Sequence, residues 1–243
     1  MLSEKRAWKI SREFSYEIAN IIGKNLKAVV VIGSLAGGYY RPGTSDIDTA
    51  VIVDDECPRE QKLQIRKIAN IYRDKYSIPK DLGAVIIMEQ ELYPPYDPNR
   101  ELVPEILRIK HQGIIVQGFY DISKIPVPTN EDFKSYARVF YPWLRRNFID
   151  NRPVEALTVD AVVNTLLYEM RLFLWDAHKE FVLNKEEVFR RFLEMYEVPH
   201  SGTHLKKVEK YVQGFSTHLT FEETEHTLKN VSSFVRGKVN WLN

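Results

Sequence analysis

The chain has 243 residues, enough for one large domain or two small ones. Its 44% hydrophobic and 28% charged residues are those of an ordinary globular protein, which excludes disordered and fibrous architectures. A net charge of +1 excludes a whole-molecule electrostatic grip on long nucleic acid or an anionic membrane, because such binding needs an excess of Lys and Arg over phosphates.

The lone cysteine, Cys57, rules out an intrachain disulfide. The first residues lack the apolar core and cleavage site of a signal peptide, and the longest apolar run, residues 28–32, is far too short to span a membrane. The expectation is a cytoplasmic protein. Ala7, Ile10, Phe14, Ile18 and Ile21 recur at steps of three and four, the stripe of an amphipathic helix, and Gly23 is placed to end it. Residues 26–32 are rich in Val and Ile and predict a buried strand. After a Gly-rich link, residues 47–53 repeat that composition.

Pro58 opens a second helix, predicted to turn Leu63, Ile68, Ile71 and Tyr72 to one side, and residues 82–88 read as a third strand. Pro94, Pro95 and Pro98 interrupt the pattern before a short helix over 101–110 and a fourth apolar run at 114–116. Strands alternating with helices predict a mixed sheet covered by helices. Residues 122–130 carry Pro126 and Pro128 without periodicity and form the expected boundary, dividing the chain into 1–125 and 130–243.

The second part is predicted to be all helical. Val163, Leu166, Leu167, Met170, Phe173, Leu174 and Ala177 form a wide apolar face behind Thr158. Asn184 leads a stripe of Val188, Phe189, Phe192, Leu193 and Tyr196, and Thr220 with Glu223 matches the capping box. Trp143 and Trp175 are expected in its core. The fold class is therefore α+β: an N-terminal mixed-sheet domain with flanking helices, followed by a C-terminal helical bundle.

The chemistry is concentrated between Val29 and Asp54, VVVIGSLAGGYYRPGTSDIDTAVIVD. A strand ends at Ile32, Gly33-Ser34 follow at once, and a Gly-rich connection leads to Ser45-Asp46-Ile47-Asp48 at the start of the next strand. Strand side chains alternate, so Asp46 and Asp48 point to one face, about 7 Å apart along the backbone. Two ionised carboxylates side by side repel, and Asp is depleted in strands, so a divalent cation between them removes the conflict. Mg²⁺ favours carboxylate and water oxygens and is commonly completed by substrate phosphates, which points to a nucleoside triphosphate. The backbone at Gly33 and Ser34 can receive phosphate oxygens closely, and Arg41 lies near enough in sequence to add positive charge.

GS, a Gly-rich link and then SDID before an apolar strand resemble the signature of the polymerase-beta-like nucleotidyltransferase superfamily. The two-part layout is similar to the streptomycin and spectinomycin class of aminoglycoside adenylyltransferases. The resemblance implies ATP as co-substrate and Mg²⁺ on Asp46 and Asp48. It implies nucleotide contacts at Gly33, Ser34, Arg41 and Ser45, and attack of an acceptor hydroxyl on the α-phosphate with release of pyrophosphate. It also implies a third acid inside a later strand, and here the sequence departs, since residues 82–88 contain none. Asp81 is the preferred candidate and Glu89 the alternative; being roughly 26 Å apart in an extended strand, at most one of them can serve, and the third reading is that the base is missing or donated from the helical part. In the second part, Lys185 behind Asn184 resembles a helix start whose lysine reaches ATP in that family, and a surface cap is the plainer alternative.

Competing readings remain at this level. The acceptor could be a small molecule such as an aminoglycoside-like antibiotic, a protein, or an RNA end; alternatively the missing acid could mark a non-catalytic nucleotide sensor. Residues 130–243 hold 16 acids and 16 bases, which weakens RNA but offers no acidic excess for a polycation either. His200 and His204 have the spacing of a metal pair, but Pro199, Ser201 and Gly202 argue against a common helix. Cys57, between acids and Pro58, is expected to be an unreactive thiol with a raised pKa.

Overall fold

A computed structural model describes residues 2–78, 81–150, 158–196, 202–214 and 219–242. The first compact unit covers Met1–Phe133 and the second Lys134–Asn243. In the first, α1 (Glu4–Ile22) leads into β1 (Leu26–Ile32), the single-turn α2 (Gly33–Ala36) and β2 (Ile47–Val53). Then come α3 (Arg59–Tyr76), β3 (Leu82–Met88), α4 (Leu102–Gln112) and β4 (Ile114–Gly118). Ser3 caps α1 by accepting the Arg6 N–H, and Gly23 ends it at a φ of 58°, a conformation in which a side chain would be strained.

The four strands form one sheet in the order β3-β2-β1-β4. β1 runs antiparallel to β2 and β4, while β2 and β3 are parallel. Both faces are covered, which is why the strands read as unbroken apolar runs rather than alternating ones. On one face Val29, Val31, Val51, Val53 and Ile86 meet Ile10, Phe14 and Ile18 of α1 and Ile65, Ile68 and Tyr72 of α3. On the other, Ala28, Val30, Ile32, Ala50, Ile52 and Ile87 meet Leu102, Ile106 and Ile109 of α4.

The inward face of α3 differs from the sequence expectation in two places. Ile65, Ile68, Ala69 and Tyr72 are buried, whereas Leu63 and Ile71 are half exposed, at 53% and 50%, because they lie on the far side of the helix from Ile65. Cys57 is buried, and burial pushes its thiol up, as expected.

The division into units falls between Phe133 and Lys134, inside α5 (Asn130–Arg145). The segment expected as the linker contributes to the first unit instead: Ile125 is 1% exposed within the core beneath α4. Asp132 accepts from the Thr129 N–H and hydroxyl at 2.8 and 2.6 Å, which starts α5.

The second unit continues with α6 (Val159–His178), α7 (Lys185–Met195), α8 (Gly202–Val212) and α9 (Phe221–Lys238). Thr158, Asn184 and Thr220 cap α6, α7 and α9, the last through the full Thr220–Glu223 box. Leu166, Met170, Phe189, Phe192, Leu228 and Val231 meet in its core. Trp175 is buried as expected, but Trp143 is 49% exposed, flanked by the Phe140 and Phe148 rings of its own segment. No helix among the described residues is long and apolar enough to cross a membrane.

One ionisable group in this unit is out of place energetically. Glu169 on α6 is 0% exposed, and neither of its oxygens reaches a hydrogen-bond partner. Desolvation pushes its carboxyl up to about 7, tempered by the neighbouring Ser232, Tyr141, Arg236 and Arg145. The folded state therefore binds this proton more tightly than the unfolded chain. The stabilising contribution is complete below the ordinary value of 4.5 and is lost as pH rises through 7. The loss amounts to about 3 kcal/mol. Urea unfolding at pH 5 and pH 8 should show Glu169→Gln removing this part of the pH dependence, leaving the variant more stable than the parent at pH 8.

Candidate active site

Asp48 is the second residue of β2, paired with Ile32 at the end of β1 and with Gly83 of β3. Two glycines leave room for its carboxylate. A Cβ added at Gly33, where φ is +70°, would lie 2.3 Å from Asp48 Oδ2, and one added at Gly83 would lie 3.2 Å from Oδ1. The left-handed conformation at Gly33 also lets the chain turn directly from β1 into α2, a backbone state open to glycine at little cost. Thr49 ties the same corner together, its hydroxyl donating to the Gly83 carbonyl at 2.9 Å.

In the turn of α2, the Ser34 hydroxyl oxygen is buried without a hydrogen-bond partner. The link that follows is closed by Ser45, whose hydroxyl accepts the Arg41 N–H at 2.9 Å and whose own N–H donates to the Arg41 carbonyl. Ser45 thus shapes the loop that carries Arg41, whose guanidinium burial shifts downward. Asp46 and Asp48 are both half-buried. Burial and the Asp46 charge together push the Tyr40 phenol up.

Sequence reasoning missed the contribution of α4. Burial lowers the Arg108 guanidinium, but the charge of Glu105 and then those of Asp48, Tyr39 and Asp46 more than offset it. Arg108 Nη1 donates to Glu105 Oε1 at 3.0 Å. One turn further on, Gln112 Oε1 accepts from the Tyr39 hydroxyl at 3.3 Å and lies 2.8 Å from where a Cβ at Gly37 would be. The signal was present as Glu105, Arg108 and Gln112 at helical spacing among Leu, Val and Ile residues, yet nothing local ties that helix to Asp48.

The remaining sequence candidates are spread more widely. Asp81 precedes β3 at the level of Asp46; its carbonyl accepts the Ile47 N–H at 3.1 Å, its side chain is exposed, and its charge acts on Arg73 of α3. Glu89 lies past the opposite end of β3, in an ion pair of 3.0 Å with Lys27, which also holds Asp54. That is about 20 Å along the strand from Gly83. Lys185 opens α7 in the second unit, where Asn184 Oδ1 already accepts the N–H groups of Glu186 and Glu187. His200 lies outside the described residues, and the His204 ring meets His226 at 5.5 Å.

Residues 15–107 match the family model of the nucleotidyltransferase domain, a span that includes Gly33, Ser34, Asp46 and Asp48. That segment is similar to a nucleotidyltransferase domain. Its whole fold is similar to that of a solved spectinomycin adenyltransferase, AAD(9) from Enterococcus faecialis with ATP and spectinomycin, at a TM-score of 0.66 and 16% identity. That likeness covers 93% of this chain and 98% of the other. A toxin–antitoxin structure with AMP-PNP overlaps 55% of this chain and 89% of its own at 14% identity, with a TM-score of 0.29, too low for a shared fold to be argued. No curated protein matches the sequence.

Within the nucleotidyltransferase domain the donor set is hard oxygen, and among the described residues no group of three or more His, Cys, Asp or Glu could hold a metal. Asp46 and Asp48 offer two carboxylates, so a cation there would draw the rest of its ligands from water and phosphate, the habit of Mg²⁺. The buried, unpartnered Ser34 hydroxyl beside them fits a phosphate oxygen, since a buried polar group without a partner is costly.

Proposed function

We propose that this nucleotidyltransferase moves AMP from ATP to a hydroxyl of a small polar molecule, an aminoglycoside-like antibiotic being the first class to test, with Mg²⁺ held by Asp46 and Asp48. The observation that carries this reading is the Asp48 carboxylate seated between Gly33 and Gly83, beside the unpartnered hydroxyl of Ser34. When bound, the cation supplies charge neutralisation for the triphosphate and for the attacking and leaving oxygens. Ser34 donates to a phosphate oxygen, and the loop that Ser45 closes carries Arg41 as a second positive contact. Lys185 is a further phosphate contact to be tested, and Asp81 a further carboxylate. The likeness to an adenyltransferase solved with ATP and spectinomycin supports a nucleotide co-substrate and a small hydroxyl acceptor, and the balanced charge of residues 130–243 supports a small acceptor over RNA. An ATP co-substrate also fits a cytoplasmic setting.

The test is incubation with α-labelled ATP, Mg²⁺ and a panel of aminocyclitol and aminoglycoside hydroxyl acceptors. The expected result is pyrophosphate release with transfer of label to one acceptor, reduced to background by EDTA. Gly83, which leaves β3 without an acid beside Asp48, favours one second reading, a nucleotide-binding sensor. Binding of ATP and Mg²⁺ without turnover of any acceptor would select it.

A further inference from the structure

The Gly-rich link from α2 to β2 carries two adjacent tyrosines to which the nucleotide chemistry assigns no part. Tyr40 is 7% exposed in the core that also holds α1, and its hydroxyl donates to the Leu2 carbonyl at 3.5 Å. Tyr39 reaches the last residue of α4: its hydroxyl donates to Gln112 Oε1 at 3.3 Å. Because α1 and α4 cover opposite faces of the sheet, the link is held from both.

The hold continues along the backbone to Ser34. The Gly37 N–H donates to the Gly33 carbonyl at 2.9 Å, and the Tyr39 N–H to the Ser34 carbonyl at 3.0 Å. The Tyr39 ring lies against Gly37, where a Cβ would fall 2.2 Å from Cε1 of that ring and 2.8 Å from Gln112 Oε1. The φ of −76° at Gly37 suits any residue, so the close ring and amide, not the backbone, require glycine here. Glycine thus makes room for a bond between residues 73 positions apart.

We propose that Tyr39 and Gln112 are positioning residues for the triphosphate grip; this rests on the ATP site of the transferase reading above. Gln112 acts through the Tyr39 hydroxyl, and Tyr39 acts through its own N–H on the Ser34 peptide. The bond between the two side chains keeps the α2 turn, and with it the Ser34 hydroxyl, in place before ATP binds. A link ordered in advance does not have to be ordered at the moment of binding, which raises affinity. The bond therefore governs nucleotide affinity and leaves the rate of the chemical step alone.

The experiment compares the parent chain with Tyr39→Phe, Gln112→Met, the double variant and Tyr76→Phe. The last loses a different tyrosine bond of the same unit, to Glu13 Oε2 at 2.6 Å. Affinity for ATP with Mg²⁺ is measured by calorimetry, together with KM for ATP and kcat. Losing one neutral hydrogen bond should weaken nucleotide affinity about fivefold in each single variant. KM for ATP should rise in step, with kcat within about twofold of the parent. The double variant should match the single ones, because all three lack the same bond, and Tyr76→Phe should keep the parent affinity. The proposal is overturned by parent-like affinity in both single variants, by losses that multiply in the double variant, by a fall in kcat without a fall in affinity, or by an equal loss in Tyr76→Phe. A parent chain that binds ATP with Mg²⁺ but turns over no acceptor overturns the transferase reading alone, because calorimetry still reads the bond; a parent that binds no ATP overturns both.

Discussion

Asp48→Ala is expected to lower pyrophosphate release about 1000-fold or more, a barrier increase on the order of 4 kcal/mol, with far-ultraviolet circular dichroism unchanged. Asp48 is the carboxylate most tightly placed in the site: β1 and β3 flank it in register, and the missing side chains of Gly33 and Gly83 define the space it occupies. In the proposed function its oxygens are the hard donors for the cation, so their loss is expected to remove cation binding as well as chemistry. Calorimetry should show weakened Mg²⁺-dependent ATP binding in the same variant. Turnover retained within tenfold would mean that the strand aspartates do not hold the metal.

Gly33→Ala is the second large effect expected, a fall of about 100-fold or more in kcat/KM from a single methyl group. The new Cβ would sit 2.3 Å from Asp48 Oδ2, and the positive φ of +70° strains any L side chain, so the carboxylate or the β1–α2 turn must move. Displacement of a reacting group by about 1 Å can cost about 100-fold. The change should also weaken Mg²⁺-dependent ATP binding, because the same carboxylate is displaced, while Gly23→Ala, which meets nothing within 4 Å, should leave catalysis at the parent level and cost only stability. An active Gly33→Ala enzyme would show that the turn can relax without disturbing Asp48.

The elements of this protein were legible because their causes are local. Val and Ile runs bounded by Gly, Asp and Pro delimited β1, β2 and β3, and Ser or Thr followed three residues later by Glu marked helix starts such as Thr220–Glu223. The Asp46–Asp48 spacing was legible in the sequence, but β2 begins at Ile47, so the strand period governs Asp48 and not Asp46, which precedes the strand. The phase of α3 was less legible: Leu63 and Ile71 fit an apolar stripe by composition, and only packing against α1 and the sheet selects Ile65, Ile68, Ala69 and Tyr72. Trp143 shows the same limit, an aromatic expected inside and found half exposed.

By itself the sequence determined which segments become strands and helices, that two carboxylates two residues apart stand at the start of β2, and that residues 82–88 bring no acid of their own, because these follow from side-chain chemistry and backbone periods within a few residues. Only the tertiary structure decided that Gly83 is the neighbour of Asp48, that Glu89 is held at the other end of β3 by Lys27, and that the charges of Asp48 and Asp46 act on Arg108 of α4. Register between β2 and β3 and the seating of α4 on the sheet arise from contacts between residues more than thirty positions apart, and no local pattern encodes which distant surfaces will be buried together.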